Sequence, residues 1–188
     1  MKKILVIHPD DRSTDFLKPI YSGLENVTLI TGGPEWTQTA IVEAIEIHDQ
    51  VIMMGHGYPG GLFGMGFKRP TVINHDCIPA LRKKDNSIFI WCNADQFVRR
   101  YELKGFFTGM FISEVGEALY CGLGKTEQNI VDESNNVFAK QLGKVLQNTQ
   151  DPKEIHNQIY SEYGILAETN NVADYNHSRL YFNEYLVV

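Results

Sequence analysis

"VIMMGHGYPGGLFGMG" (residues 51–66) decides how the chain is read. Its opening residues are apolar without alternation, the pattern of a strand buried on both faces in the middle of a parallel sheet. The run climbs to Gly55-His56-Gly57 and passes into a segment with six glycines between positions 55 and 66. Glycine restrains the backbone least, so residues 57–70 are expected to form a mobile loop. A histidine carried by a strand into such a loop has no bulky sequence neighbour to pack against. His56 is therefore the first candidate for chemistry.

Four similar runs surround it: "KKILVIH" (2–8), "NVTLIT" (26–31), "SIFIWC" (87–92) and "FFTGMFIS" (106–113). Between them, apolar residues at helical spacing predict helices over 13–23, 37–48, 76–84 and 94–103, the first capped by Ser13 or Thr14. Strand and helix alternate, which predicts an α/β fold with a single doubly wound, mostly parallel sheet of flavodoxin/caspase-like order 2-1-3-4-5. Two longer helices start at Thr126 and at Asp151-Pro152, where proline suits a first turn. The asparagine-rich stretch 169–177 reads as a loop, and "RLYFNEYLVV" (179–188) stays open between helix and strand. The expectation is one domain over 1–188, with a sheet core in 1–125 and a mainly helical part in 126–188. A chain of 188 residues can bury a sizeable core.

Charge narrows the partners. With 17 Lys+Arg against 23 Asp+Glu the net charge is −6. Basic residues cluster only at Arg82-Lys83-Lys84 and Arg99-Arg100, which argues against a nucleic-acid partner. The first apolar run stops at His8, too soon for a signal peptide, and no 18-residue apolar stretch occurs, so no membrane partner is expected. The three cysteines form no spaced pair, which points to reduced thiols and a cytoplasmic location. Oligomeric state is not legible.

In an open parallel sheet, ligands bind beyond the carboxyl ends of the strands. Those ends carry His8-Pro9-Asp10-Asp11, Gly55-His56-Gly57, Cys92-Asn93-Ala94-Asp95 and Ser113-Glu114. In the expected order, strands three and four are neighbours, and His56 stands beside Cys92. An imidazole next to a thiol suffices for nucleophilic catalysis, with the following helix N-terminus expected to lower the thiol pKa further. Gly57, Gly60 and Gly61 are candidate oxyanion donors and leave room for an extended peptide. Asn93 is a candidate substrate contact, although it and Asp95 also suit a helix cap. Cys77 and Cys121 read as packing residues, Arg99 and Arg100 as a solvated face, and Glu114 and Glu117 as acids favouring a helix start. This thiol chemistry needs no cofactor and no metal.

An apolar strand ending in His-Gly, followed 36 positions later by a second ending in Cys, resembles the caspase/legumain/gingipain superfamily of cysteine peptidases, nearest its separase-like CHAT branch. The resemblance covers roughly residues 50–95. It implies a caspase-hemoglobinase fold and a peptide or protein substrate cut after a specific residue such as Asp, Asn, Arg or Lys. It also implies roles for His56 as base, Gly57 as oxyanion donor and Cys92 as nucleophile. Trp91 departs from the small residue usual before the cysteine.

A second likeness lies in "HPDD" (8–11), similar to the zinc-dependent N-acetylglucosaminyl deacetylases of the PIG-L family. It implies His8 and Asp11 as zinc ligands and Asp10 as general base, with Glu114 on the same rim. Arg12 stands where that family has Glu, and the third ligand would have to be His56, His75 or His177. The same four residues are also good turn chemistry. A third reading is a non-catalytic module that binds a ligand or a protein.

Overall fold

The computed structural model describes residues 2–34, 36–64 and 70–183. In chain order the first half contains β1 (Ile4–Ile7), a 3-10 helix (Arg12–Ile20), β2 (Val27–Ile30), α1 (Gln38–Ile47) and β3 (Gln50–Met54). Three short strands follow, β4 (Gly57–Tyr58), β5 (Gly61–Phe63) and β6 (Thr71–Ile73), then a 3-10 turn (His75–Cys77) and α2 (Ile78–Leu81). The second half contains β7 (Ser87–Ile90), α3 (Ala94–Arg100), β8 (Gly105–Thr108), α4 (Val115–Tyr120), α5 (Gln128–Asn148), α6 (Pro152–Ala167), α7 (Asn171–His177) and β9 (Leu180–Phe182).

The fold is α/β. A six-stranded sheet runs β2-β1-β3-β7-β8-β9, parallel throughout except for the antiparallel last pair. Alternate residues serve opposite faces, which explains why the strands are apolar throughout. Leu5, Ile7, Val51, Met53, Phe89 and Phe107 face one core with α1, α2 and α3. Ile4, Val6, Ile52, Met54, Ile88 and Phe106 face the other, against the first 3-10 helix, α5 and α6. Among the described residues, no helix is long and apolar enough to cross a membrane.

Several expectations are corrected. The first helix is a 3-10 helix capped by Asp11, whose side chain accepts from the Ser13 N–H at 3.1 Å, rather than a helix begun by Ser13 or Thr14. The expected loop 169–177 is largely helix α7. Asn170 caps it by accepting from Val172 and Ala173, and buried Asn176 brackets Ile112, its Oδ1 accepting from the N–H at 2.7 Å and its Nδ2 donating to the carbonyl at 2.9 Å. These asparagines cap and bridge, so their polarity marks satisfied backbone rather than loop. The stretch left open becomes edge strand β9, with Asn183 Oδ1 accepting from Gly105 N–H at 2.6 Å; its residues 184–188 lie outside the described residues.

The glycine-rich segment also differs. Residues 65–69 of the expected 57–70 loop lie outside the described residues, but β4, β5 and β6 form a three-stranded antiparallel sheet with Leu62 and Ile73 fully buried. Here glycine serves close approach. A Cβ on Gly61, at φ +142°, would run into the Ile73 carbonyl, and one on Gly57 would run into the Trp91 ring.

Gly61→Ala should therefore lower unfolding stability by about 2 kcal/mol, the usual scale for overpacking plus backbone strain. Gly116→Ala, with open space around it, should leave stability unchanged or slightly raised. Urea denaturation of the two variants checks both; equal stability of Gly61→Ala and the native chain would contradict the tight β5–β6 approach.

Candidate functional site at the carboxyl ends of β3 and β7

The β3–β7 register pairs Met54 with Ile90, and the Gly55 N–H continues the ladder to the Ile90 carbonyl at 3.0 Å. Two residues beyond that pair, the segment after each strand carries its candidate side chain, His56 after β3 and Cys92 after β7. Both line one narrow crevice of about 20 Å³, with Thr14, Phe16, Trp91 and Ser113 around them. That space holds about one water.

Trp91, the departure noted in the sequence, fixes this arrangement. Its ring is buried edge-on to Phe89 and Phe97, and its Nε1–H donates to the Tyr58 carbonyl at 3.2 Å. It thereby ties the small sheet to the large one immediately beside His56.

His56 is oriented from the other side. Its Nε2 lies 2.6 Å from Ser13 Oγ, and Ser13 donates its hydroxyl proton to Asp11 Oδ1 at 2.8 Å. One hydroxyl has one proton. With that proton on Asp11, Nε2 must carry the hydrogen toward Ser13, which leaves Nδ1 as the basic nitrogen. The sequence alone shows Ser13 only as a helix cap. The Asp11-x-Ser13 spacing signals a cap, and only tertiary folding brings that cap to His56.

Cys92 sits in an environment opposite to the expected one. Its Sγ faces the Phe111 carbonyl at 3.4 Å and Glu117 Oε1 at 3.8 Å. Burial, reinforced by the Glu117 carboxylate, pushes the thiol up to about 12. The expected lowering by a helix N-terminus is thus corrected: the resting group is a neutral thiol. Glu117 is the second residue missed. Its Oε2 accepts from the Ser113 N–H at 2.7 Å and the Glu114 N–H at 3.1 Å, as the helix-start reading implies, while Oε1 turns to the sulfur.

Asn93 adopts the left-handed region at φ 64° and turns the chain sharply from β7 into α3. Its N–H is engaged by the Gly109 carbonyl at 3.1 Å, so it is not a free oxyanion donor, and its side chain makes no cap hydrogen bond. Gly60 lies against the Tyr58 ring and Gly61 under Ile73, where close packing accounts for both.

The "HPDD" residues do not assemble as metal ligands. His8 is 3% exposed and uses both ring nitrogens, Nδ1 with Tyr21 Oη at 3.1 Å and Nε2 with Thr14 Oγ1 at 3.0 Å. Asp10 is exposed, and Asp11 caps the 3-10 helix. His56 is engaged with Ser13, His75 is exposed beside Asp76, and His177 meets the Tyr160 carbonyl at 2.8 Å. Among the described residues no three His, Cys, Asp or Glu side chains are grouped to hold a metal ion. As placed, these residues do not fit zinc.

Beside the crevice, and sharing Ser13, Phe16 and Ser113 with it, opens a cleft of about 530 Å³. Glu114 and Asp132 stand on its wall with Arg12 opposite in charge. Compared with models of known protein families, with curated proteins and with solved structures, the chain gives no match.

Two outcomes are expected. Iodoacetamide should modify Cys92 more slowly at pH 8 than it modifies an ordinary exposed thiol, and Glu117→Gln should accelerate the reaction several-fold by removing the adjacent charge; mass spectrometry of partly labelled protein measures both. The second outcome concerns His8, whose pKa is lowered to about 4 by burial, with the Lys18 charge adding to it. Its unfolded value is about 6.5, so the unfolded chain binds the proton more readily. Stability is therefore complete above about pH 6.5 and falls toward pH 4, by up to about 3 kcal/mol from this group. Denaturant titrations at pH 7 and pH 4.5 should show a drop that His8→Gln reduces.

Proposed function

We propose that the chain is a cysteine-peptidase-like hydrolase that attacks peptide bonds through Cys92, with His56 as base. The single observation that carries this reading is the convergence of His56 and Cys92 on one crevice at matching positions of adjacent parallel strands. The parallel succession β2-β1-β3-β7-β8 agrees with the caspase-hemoglobinase arrangement that the His-Gly and Cys strand ends resemble.

In this reading the chemistry starts from a neutral thiol, in keeping with the raised Cys92 pKa. The Sγ–H proton passes to His56 Nδ1 as sulfur attacks the substrate carbonyl carbon, so the thiolate never accumulates beside Glu117. Asp11 and Ser13 hold the ring in the required tautomer. His56 then returns the proton to the leaving amine, and water releases the acyl group from sulfur. Gly57 is the oxyanion donor. Antiparallel pairs alternate between bonded and non-bonded positions, and Phe63 N–H bonds the His56 carbonyl at 2.9 Å. Gly57, opposite Leu62, falls in the next, non-bonded position, with its N–H turned away from β5.

A second reading rests on the 2.6 Å Ser13–His56 contact, with Ser13 as nucleophile and His56 as its base. The hydroxyl proton directed to Asp11 favours the positioning role instead.

Hydrolysis of a pooled fluorogenic peptide library separates the two. Cys92→Ala, His56→Ala and the double variant should each lose nearly the same activity, because the pair acts as a unit. Ser13→Ala should retain a reduced rate, about tenfold lower, with its pH profile displaced as His56 loses its partner. Activity that survives Cys92→Ala but not Ser13→Ala would replace the thiol reading with the serine one.

A further inference from the structure

β2 forms one edge of the six-stranded sheet, and its outer side pairs with no strand among the described residues. On the inner side, the Ile4 N–H bonds the Asn26 carbonyl at 3.1 Å and the His8 N–H bonds the Ile30 carbonyl at 2.9 Å. Alternate residues of a strand direct their backbone groups to opposite sides. The even-numbered residues of β2 therefore serve β1, while Val27 and Leu29 turn N–H and C=O outward. This outward run is bounded at both ends. Asn26, at φ 57°, turns the chain just before it, and the Thr31 carbonyl is taken by the Asp10 N–H at 2.8 Å. What remains is a pair of donors and a pair of acceptors, placed symmetrically about Thr28.

Edge strands usually carry a guard, such as a charge, a proline or a bulge. β2 has none of these. Its four residues, Val27-Thr28-Leu29-Ile30, are uncharged and lack proline, and its register with β1 is unbroken. Thr28 is exposed, and so is Leu29 at 42%. A groove of about 650 Å³ opens beside this edge, lined by Val27, Thr28 and, from α1, Ala40 and Ile47, the last 68% exposed. Lys3 and Glu43 stand on the same lining.

We infer that β2 docks antiparallel on β2 of a second copy of this chain, about a two-fold axis at Thr28. Val27 then faces Leu29 of the second copy in a hydrogen-bonded pair, and Leu29 faces its Val27. Each pair exchanges both N–H···O=C bonds, so every outward group of the two edges is used. Thr28 meets itself at the non-bonded position between them, a favourable cross-strand pair. In such an isologous contact each residue near the axis meets its own kind, so a charge there would repel its copy. The uncharged strand meets that condition, and Lys3 and Glu43 give the groove one charge of each sign for a copy to complement. A strand from a different protein would need neither the symmetry about Thr28 nor the mixed charge. This docking is independent of the chemistry at Cys92.

Sedimentation velocity of the native chain, from micromolar to millimolar concentration, should show a monomer–dimer equilibrium. Leu29→Pro removes an outward N–H that β1 does not use, a place where a strand tolerates proline. It deletes half of the bonds between copies and should weaken the dimer at least about tenfold. Hydrogen exchange of the native chain reads the same edge without a variant. The Val27 and Leu29 amides should slow as concentration rises, whereas Thr28 and Ile30, already bonded to β1, should not follow. Thr28→Cys, treated with oxidised glutathione, should give a dimer linked through position 28, because side chains at a non-bonded pair are close enough for a disulfide. Leu29→Cys should not link to itself. A chain that stays monomeric at every concentration, or exchange at Val27 and Leu29 that ignores concentration, overturns the inference. So does a dimer that Leu29→Pro leaves intact, or one linked by Leu29→Cys and not by Thr28→Cys.

Discussion

The contact between Trp91 and Gly57 governs the upper edge of this protein. The indole lies where any side chain at position 57 would stand, and its N–H holds the Tyr58 carbonyl at 3.2 Å. Through that contact the buried residue just after one central strand grips the first residues beyond its neighbour. His56 sits inside the grip, one residue before Gly57. The three-stranded antiparallel sheet needs the same anchor, because strands of two or three residues have little stability of their own. Tyr58 and Phe63, stacked with centroids 5.0 Å apart, extend the fixed surface outward.

Around this anchor the polar groups divide their duties in pairs. Asp11 both starts a helix and receives the Ser13 hydroxyl; Glu117 both starts a helix and faces a sulfur. Each carboxylate thus joins a backbone requirement to a position on the rim, so moving the chemistry would unwind a helix end. The electrostatic outcome differs between them. Asp11 orients the His56 ring through Ser13, whereas Glu117 opposes charge on Cys92 directly.

Much of the architecture was legible because it rests on local pattern. The unbroken apolar runs of β1, β3 and β7 can only be buried on both faces, and the intervening helical spacings have to cover them. The strand ends carrying His56 and Cys92 follow from the same runs. What escaped the sequence depends on partners distant in the chain. The glycines at 57 and 61 read as freedom because the groups that crowd them, Trp91 and the Ile73 carbonyl, come from elsewhere. Ser13 and Glu117 read as caps because capping is local, while their second contacts span 43 and 25 positions. The thiol's pKa had the wrong sign for the same reason: a helix start is visible in sequence, but burial beside a carboxylate is not.

The antiparallel edge strand has a consequence for how the chain is made. Phe106 and Phe107 of β8 pair with Phe182 and Tyr181 of β9, whose residues leave the ribosome only after α4 to α7 have been synthesised. At about 5–20 residues per second, β8 waits several seconds or more with one edge of its backbone unpaired. An aromatic edge of that kind is a template for pairing with another nascent chain. Holding it during translation falls to whatever meets the polypeptide at the tunnel exit, so the yield of folded protein depends on elongation speed and on chaperone supply, not only on the stability of the finished sheet.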